Sequence, residues 1–371
     1  MKSTFEARLE TLRSTLETQP FDTLLVLIAE NRHYISGYSA HDGQFDETAG
    51  VLLVSRDKAL LVTDSRFDLQ ASMEAPLFEV IRFQKDLFAE LPDILVSMGT
   101  RHLGFESVRM SCLQHQQLSE EIEKRGLSIE LTPSRDLIEN QRICKDPQEI
   151  ETIRKALSLT ESVFVDFIGT VTAGATEKAL AWELEKRLRQ AGADALSFPS
   201  IIAGGPNSAL PHAVPTDRPV QPGEPILFDF GVRLNGYCSD ITRMAYIGEP
   251  DDTYRRIYAA VLEAQQKAIQ AIGPGESTKH VDAEAREHIA AKGHGDDFGH
   301  GLGHGVGLAI HEAPRLNPMK ESQLAPGMVV TVEPGIYIAD WGGIRLENMV
   351  VVTEAGVEVL NKTESSEMII I

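Results

Sequence analysis

PILFDFGVRLNGYCSDITRMAYI, residues 225–247, is the stretch whose reading decides the fold. Ile226–Val232 and Tyr237–Ile247 are rich in β-branched and aromatic residues, the composition of paired strands. Between them stands Asn235-Gly236. That dipeptide suits a two-residue hairpin turn, because both central positions there need φ > 0. Counting back from the turn sets Asp229 opposite Thr242, and Asp240 shares the face of Thr242, diagonal to Asp229. Diagonal neighbours lie ~7–8 Å apart at the backbone, so the two carboxylates lean together. With Ile226, Leu227, Phe228 and Phe230 around them, they repel unless cations lie between them. The hairpin therefore reads as half of a metal site.

The chain around it has 371 residues, which favours two domains over one. An apolar fraction of 42% and a charged fraction of 24% are those of an ordinary globular protein. A formal net charge of −20 excludes nucleic acid and anionic membranes as natural partners, since no basic block offsets it. Cys112, Cys144 and Cys238 are scattered and odd in number, which points to a reducing compartment rather than a disulfide framework. The opening stretch is polar and helix-periodic, with Phe5, Leu9, Leu12 and Leu16 on one stripe. It is no signal peptide, and the apolar run Leu24–Ala29 is too short to span a bilayer. The expected location is the cytoplasm.

Read in order, residues 1–133 form a smaller α/β domain. Strands are expected at Thr23–Ala29, Gly50–Val54, Ala59–Thr63, Glu79–Phe83 and His102–Phe105, with helices near Leu87–Ser97 and Ser111–Arg125. The segment from His33 to Tyr38, with His41-Asp42 after it, reads as an ordinary surface loop. Residues 134–371 form the second domain, opened by Asp146-Pro147-Gln148-Glu149: an N-cap, a proline at the first helical position and a capping-box glutamate. Helices to Ile168 and from Thr176 to Gln190 lead through a Gly/Pro-rich loop into the opening hairpin. The pattern then recurs: helices at Thr253–Ile272 and Ser277–Lys292, a glycine-rich loop, and paired strands Met328–Ile338 and Gly343–Thr353. Those strands carry Glu333 and Glu347 where the first hairpin carries Asp229 and Asp240. Two matched halves each offer two carboxylates to a shared cleft.

Four carboxylates balance two divalent cations and need a neutral ligand besides. HGLGHGVGLAIHE, residues 300–312, supplies candidates in His300, His304 and His311. The glycines flanking His304 allow φ > 0 and close backbone approach to a ligand. Oxygen-rich ligation with one imidazole suits Mn²⁺, Co²⁺, Fe²⁺ or Zn²⁺. Cys238 has no acid–base partner beyond the ligands and reads as an inert small residue. Trp182 and Trp341 read as packing residues.

FDFGVRLNGYCSDITR, HGLGHGVGLAIHEAP, GMVVTVEPGIY and GGIRLEN together resemble the pita-bread metallopeptidases, in the Xaa-Pro branch of aminopeptidase P and prolidase. The first third is similar, more loosely, to the creatinase-like amino-terminal domain of that branch. The resemblance implies an α/β (α+β) architecture with a pseudo-twofold catalytic domain. It implies that Asp229, Asp240, His304, Glu333 and Glu347 are the five ligands of two metal ions, Mn²⁺ first among them, with Asp240 and Glu347 bridging. His212, His311 and Glu333 then carry the catalysis, and His212, His300 and His311 line the substrate site. Arg345 supports it from the GxRxE pattern, where Asn348 replaces the usual aspartate. The implied reaction is attack of a metal-bridged hydroxide on the bond between an amino-terminal residue and proline, in an Xaa-Pro aminopeptidase. An Xaa-Pro dipeptidase is the alternative. A metal-free creatinase-like amidinohydrolase or a non-catalytic binding module stands further off, because the ligand set is complete. A homodimer is the implied assembly.

Overall fold

Asn235 and Gly236 both take positive φ, 49° and 84°, as the turn requires. In the computed structural model, which describes residues 3–44, 47–363 and 367–371, that hairpin lies in the second of two compact units. Unit 1 is Met1–Arg142 and unit 2 is Ile143–Ile371.

Unit 1 runs α1 (Thr4–Leu16), β1 (Thr23–Val26), α2 (Ala29–Ser36), β2 (Val51–Ser55), β3 (Ala59–Thr63), α3 (Asp68–Glu74), β4 (Glu79–Arg82), α4 (Leu87–Met98), β5 (His102–Glu106), α5 (Cys112–Lys124), β6 (Glu130–Ser134) and α6 (Leu137–Arg142). Its six-stranded sheet has the order β4-β3-β2-β1-β5-β6. Leu25, Leu53 and Leu103 from the sheet meet Leu91, Leu95 and Leu118 from the helices in one core.

Two expectations change here. The residues from His33 to Ser36 belong to α2, which ends on Gly37 at φ 86°, and are not a loop. No local side chain caps that helix; the Glu106 carboxylate does so, accepting from the Leu27 and Ile28 amides at 2.6 Å each. A cap brought from so far along the chain leaves no local signature. Asp42, beyond the helix, pairs with the fully buried Arg32 at 2.8 Å. The unit also continues past residue 133, because β6 pairs with β5 through Ser134 and α6 returns to α2. Arg142 donates to Asn31 at 2.7 Å and Tyr34 to the Gln141 carbonyl at 3.1 Å.

Unit 2 opens with α7 (Pro147–Ile168), whose Asp146–Glu149 capping box is formed, and α8 (Glu177–Gln190), capped by Thr176. Then come β7 (Ala195–Leu196), β8 (Ile201–Gly204), β9 (Pro225–Phe230), β10 (Val232–Leu234), β11 (Tyr237–Cys238) and β12 (Ile241–Tyr246). The second half follows with α9 (Asp252–Ala271), α10 (Thr278–Ala291), β13 (Gly303–Gly305), β14 (Glu312–Leu316), β15 (Val329–Val332), β16 (Gly335–Ile338), β17 (Gly342–Arg345) and β18 (Asn348–Thr353). The short strands β19 (Gly356–Val359) and β20 (Ile369–Ile370) end the chain.

The main sheets are β20-β12-β9-β8 and β14-β13-β15-β18-β19. Leu227 and Met244 of the first share a core with Val330 and Val350 of the second and with Tyr254, Ile257 and Val281 of the helices. Asp229 pairs with Thr242, the register the turn sets. Each long hairpin is interrupted, however. The strand expected over 328–338 splits at Glu333-Pro334, and its partner splits at Leu346-Glu347. Pro334 has no N–H to continue the ladder. The first hairpin splits likewise at Gly231 and at Ser239-Asp240. A Cβ on Gly231 would lie 1.9 Å from the Ser239 carbonyl, so the strands cross there in contact. Bonds between the halves occupy the breaks, with Glu347 donating its amide to Thr242 at 3.3 Å. Trp341 packs against the core, but Trp182 is 66% exposed on α8 and packs little. Among the described residues no helix is long and apolar enough to cross a membrane.

Candidate metal centre

The breaks in the two hairpins face one cleft of about 650 Å³ within unit 2. Asp229, Asp240, His304, Glu333 and Glu347 all line it, as do His212, His300, His311 and Arg345. Every site residue picked out in the sequence is therefore brought together. Ligand atoms of Asp240, His304 and Glu347 lie within 4.8 Å of one another. His304 Nε2 is 3.6 Å from Asp240 Oδ2 and 3.3 Å from Glu333 Oε1.

The donor set suits divalent cations. His304 Nδ1 lies 3.1 Å from the Gly305 carbonyl, which only an N–H can pair with, so Nε2 presents its lone pair to the cleft. Among the described residues, Asp229 Oδ1 and Glu347 Oε1 are buried with no hydrogen-bond partner. Two orphaned carboxylate oxygens in one buried cluster are costly unless a cation takes them. Burial, then the charges of the other carboxylates, pushes Asp240 and Glu347 far above the usual carboxylate range. Burial also raises Asp229, against the opposing pull of Arg345. At Glu333 burial acts upward, yet the opposing pull of neighbouring His304, then of Arg345, outweighs it and holds the group at about 2.

Three of the other carboxylate oxygens are held by hydrogen bonds. Thr242 donates to Glu347 Oε2 at 2.7 Å, and Thr331 to Glu333 Oε1 at 3.1 Å. Arg345 donates to Asp229 Oδ2 at 2.5 Å, to Thr242 at 3.2 Å and to the Tyr337 hydroxyl at 2.8 Å. His300 Nδ1 is 2.7 Å from the Gly301 carbonyl, so its Nε2 accepts from Tyr337 at 2.8 Å. One line of hydrogen bonds thus joins the cleft wall at His300 to Asp229. Asn348 accepts from Arg243 at 3.1 Å, and Arg243 also donates to the Glu347 carbonyl at 2.5 Å. An amide oxygen meets that donor as a carboxylate would, so the departure at Asn348 leaves Glu347 supported.

His212 and His311 sit on the exposed side of the cleft. The His311 ring meets His304 edge-on at 4.4 Å, and burial, then neighbouring His304 and Arg315, lowers its pKa to about 4. Cys238 is fully buried, and burial raises its thiol further, which makes it inert.

The glycines around His304 act differently from the expectation. None from Gly299 to Gly307 takes positive φ. A Cβ on Gly303 would lie 2.0 Å from the Thr331 carbonyl, and one on Gly305 2.2 Å from the Ala313 carbonyl. They let β13 press between β15 and β14 and so carry His304 to the carboxylates. Sequence reasoning passed over Tyr337, Thr242 and Arg315. Tyr337 is four residues past Glu333, and Thr242 is the stated partner of Asp229; both positions were visible, their bonding was not. Arg315 faces His304 across the β13–β14 pair and lines the cleft.

Known proteins share this fold. The profile of the creatinase/prolidase N-terminal domain matches residues 8–144 and that of metallopeptidase family M24 matches residues 151–354. An Xaa-Pro dipeptidase of Pyrococcus furiosus is 38% identical over 96% of this chain and 98% of its own length. An uncharacterized peptidase of Bacillus subtilis is 38% identical over 94% of this chain and 96% of that protein. Among solved structures, an Xaa-Pro dipeptidase from Bacillus anthracis superposes with a TM-score of 0.92 at 36% identity, covering 99% of this chain and all of that one. An X-Pro aminopeptidase from Thermotoga maritima reaches 0.87 at 34% identity, covering 98% and 100%. With both interrupted hairpins inside the matched segment, the chain belongs to metallopeptidase family M24 and carries a creatinase/prolidase-type domain ahead of the catalytic one.

Proposed function

We propose that the protein is a metal-dependent Xaa-Pro dipeptidase. The observation that carries this reading is Arg315, on the cleft wall beside His304, with no hydrogen bond or ion pair to any described residue. In an Xaa-Pro dipeptide the terminal carboxylate is attached to the carbon next to the scissile nitrogen. A cation close to the metal ligands therefore recognises the dipeptide, whereas a longer peptide offers a neutral amide at that place. The sequence reading put the aminopeptidase first. Arg315 and the full-length likeness to Xaa-Pro dipeptidases support its alternative better.

Asp229, Asp240, His304, Glu333 and Glu347 would hold two divalent ions. Such ions lower the pKa of water and polarise a carbonyl. The protein's own part is positional. Glu333, kept ionised, receives and returns the proton of the attacking water. His212 and a neutral His311 donate hydrogen bonds where charge develops on the carbonyl oxygen. His300, with its Nε2 engaged by Tyr337, lines the pocket beside them. Mn²⁺ is the ion of first choice for so oxygen-rich a set. A cytoplasmic homodimer completes the reading; the free state of all three cysteines is consistent with that compartment.

The test compares Ala-Pro with Ala-Pro-Ala, using protein stripped by chelator and reloaded with Mn²⁺. Cleavage of Ala-Pro at least tenfold faster is expected. Arg315→Met should raise KM for Ala-Pro by about 10–100-fold, the worth of a hydrogen bond to a charged group, and leave Ala-Pro-Ala unaffected. Faster cleavage of Ala-Pro-Ala would return the assignment to an aminopeptidase. Activity surviving chelation or Asp240→Ala would overturn the metal reading.

A further inference from the structure

Lys145 is the least expected charge in unit 2. Its side chain is 1% exposed, and its Nζ lies 2.6 Å from Glu312 Oε1, itself on a side chain 10% exposed. Nζ also donates to the Ile143 carbonyl at 3.1 Å. Glu312 directly follows His311. A buried ion pair is expensive, and an apolar pair of similar volume generally packs as well or better. Its position in the fold gives it a purpose.

The backbone beside Lys145 is fixed. Its amide donates to the Gly327 carbonyl at 2.8 Å, and Cys144 bridges to Met328. Four residues on, Glu149 accepts from the Tyr237 hydroxyl at 2.7 Å, at the tip of the opening hairpin. From this anchored segment Lys145 reaches under the turn that carries His311. Gly307 makes room for the pair: a Cβ there would lie 2.2 Å from Glu312 Oε1 and 3.0 Å from Lys145 Cε. The turn closes through Gly307 donating to the Ala309 carbonyl at 3.1 Å, and it ties to β11 where Cys238 donates to the Gly307 carbonyl at 2.8 Å. Glu312 is the one charged group of the turn, and Lys145 holds it from below.

We propose that Lys145, through its buried pair with Glu312, is a positioning residue that fixes His311 against His304 in the cleft. His311 is exposed to the cleft and touches the site through one ring contact. Loss of the pair lets the ring drift, and a drift of about 1 Å at a catalytic group costs up to ~100-fold.

The kinetic arm of the test rests on the dipeptidase reading; the positional arm does not. Lys145→Met removes the buried cation beside Glu312, so the double variant Lys145→Met/Glu312→Leu is made beside it to restore a neutral, packed site. In the double variant Tm should return to near the wild-type value while kcat for Ala-Pro stays about 10–100-fold down, with KM within about threefold and bound Mn²⁺ unchanged. Glu312→Gln, which still accepts from Lys145, should keep most of kcat. A crystal structure of the double variant should show the His311 ring displaced from its edge-on contact with His304. Recovery of kcat together with Tm, or a His311 ring in its wild-type place, would overturn the proposal. Wild-type protein that binds Mn²⁺ and leaves Ala-Pro intact would instead refute the dipeptidase reading, and the ring position would still decide this one.

Discussion

Glu106 shows how a single residue can serve a fold without serving a site. Its carboxylate is buried in unit 1 and accepts from two backbone amides and from Asn31, all at 2.6 Å. Burial pushes its pKa up to about 7 in spite of those donors, and nearby Glu139 adds to the rise. The folded value thus exceeds the unfolded one, so the protonated form favours folding. That stabilisation is complete below the unfolded pKa near 4.5 and is lost as pH rises through about 7. Unit 1 should therefore melt at a lower temperature at pH 8 than at pH 5, and Glu106→Gln should flatten that dependence. Calorimetry of both proteins across this range checks it; an equal slope in Glu106→Gln would dismiss Glu106 as the cause. Nothing near residue 106 in the sequence announces this role, because the amides it caps lie at 27 and 28. Asp229 and Asp240, by contrast, were legible at once, since strand parity and a two-residue turn are local rules.

At the scale of elements, the strand carrying His304 depends on the absence of side chains beside it. A methyl group on Gly303 would meet the Thr331 carbonyl at 2.0 Å, a backbone atom that cannot step aside while β13 stays in its sheet. Gly303→Ala must then push β13 off β15 and move His304 away from Asp240 and Glu333. Overpacking of this kind costs about 1–3 kcal/mol. For a unit of this size that is a fall of very roughly 2–12 °C in Tm. The variant should also bind Mn²⁺ at least tenfold more weakly, measured by titration of chelated protein. A variant with wild-type affinity would show that β13 has slack. The sequence marked this stretch by its glycines but assigned them left-handed backbone, when their use is close strand contact. Periodicity reveals that a strand exists; it does not reveal which neighbour's carbonyl presses on it. The interrupted hairpins were hidden for a similar reason. Only Pro334 signals a break locally, whereas the breaks at Gly231, Asp240 and Leu346 follow from the two halves bonding to each other.

For the whole molecule, the consequence of gathering four carboxylates in unit 2, three of them buried, is a pH dependence that metal removes. Without ions, burial and mutual repulsion raise Asp240 and Glu347 far above their unfolded values, so protonation favours the folded unit. Stability of the stripped protein then falls as pH rises through those raised values. Divalent ions bind only the ionised carboxylates and the neutral imidazole, so binding releases protons and strengthens with pH. Loaded unit 2 should hold its stability over the range in which stripped unit 2 loses it. At a free ion concentration 100 times Kd the gain is about 2.7 kcal/mol. The ligands lie wholly within Ile143–Ile371, so this linkage acts on the transition of unit 2, and unit 1 keeps the separate dependence set by Glu106. Calorimetry with Mn²⁺ and with chelator, at pH 5 and pH 8, should therefore resolve one transition that responds to the ion and one that does not. The ion-dependent shift should be larger at pH 8. A shift of equal size at both pH values would mean that the carboxylates are already ionised in the stripped protein, with something other than protons offsetting their charge.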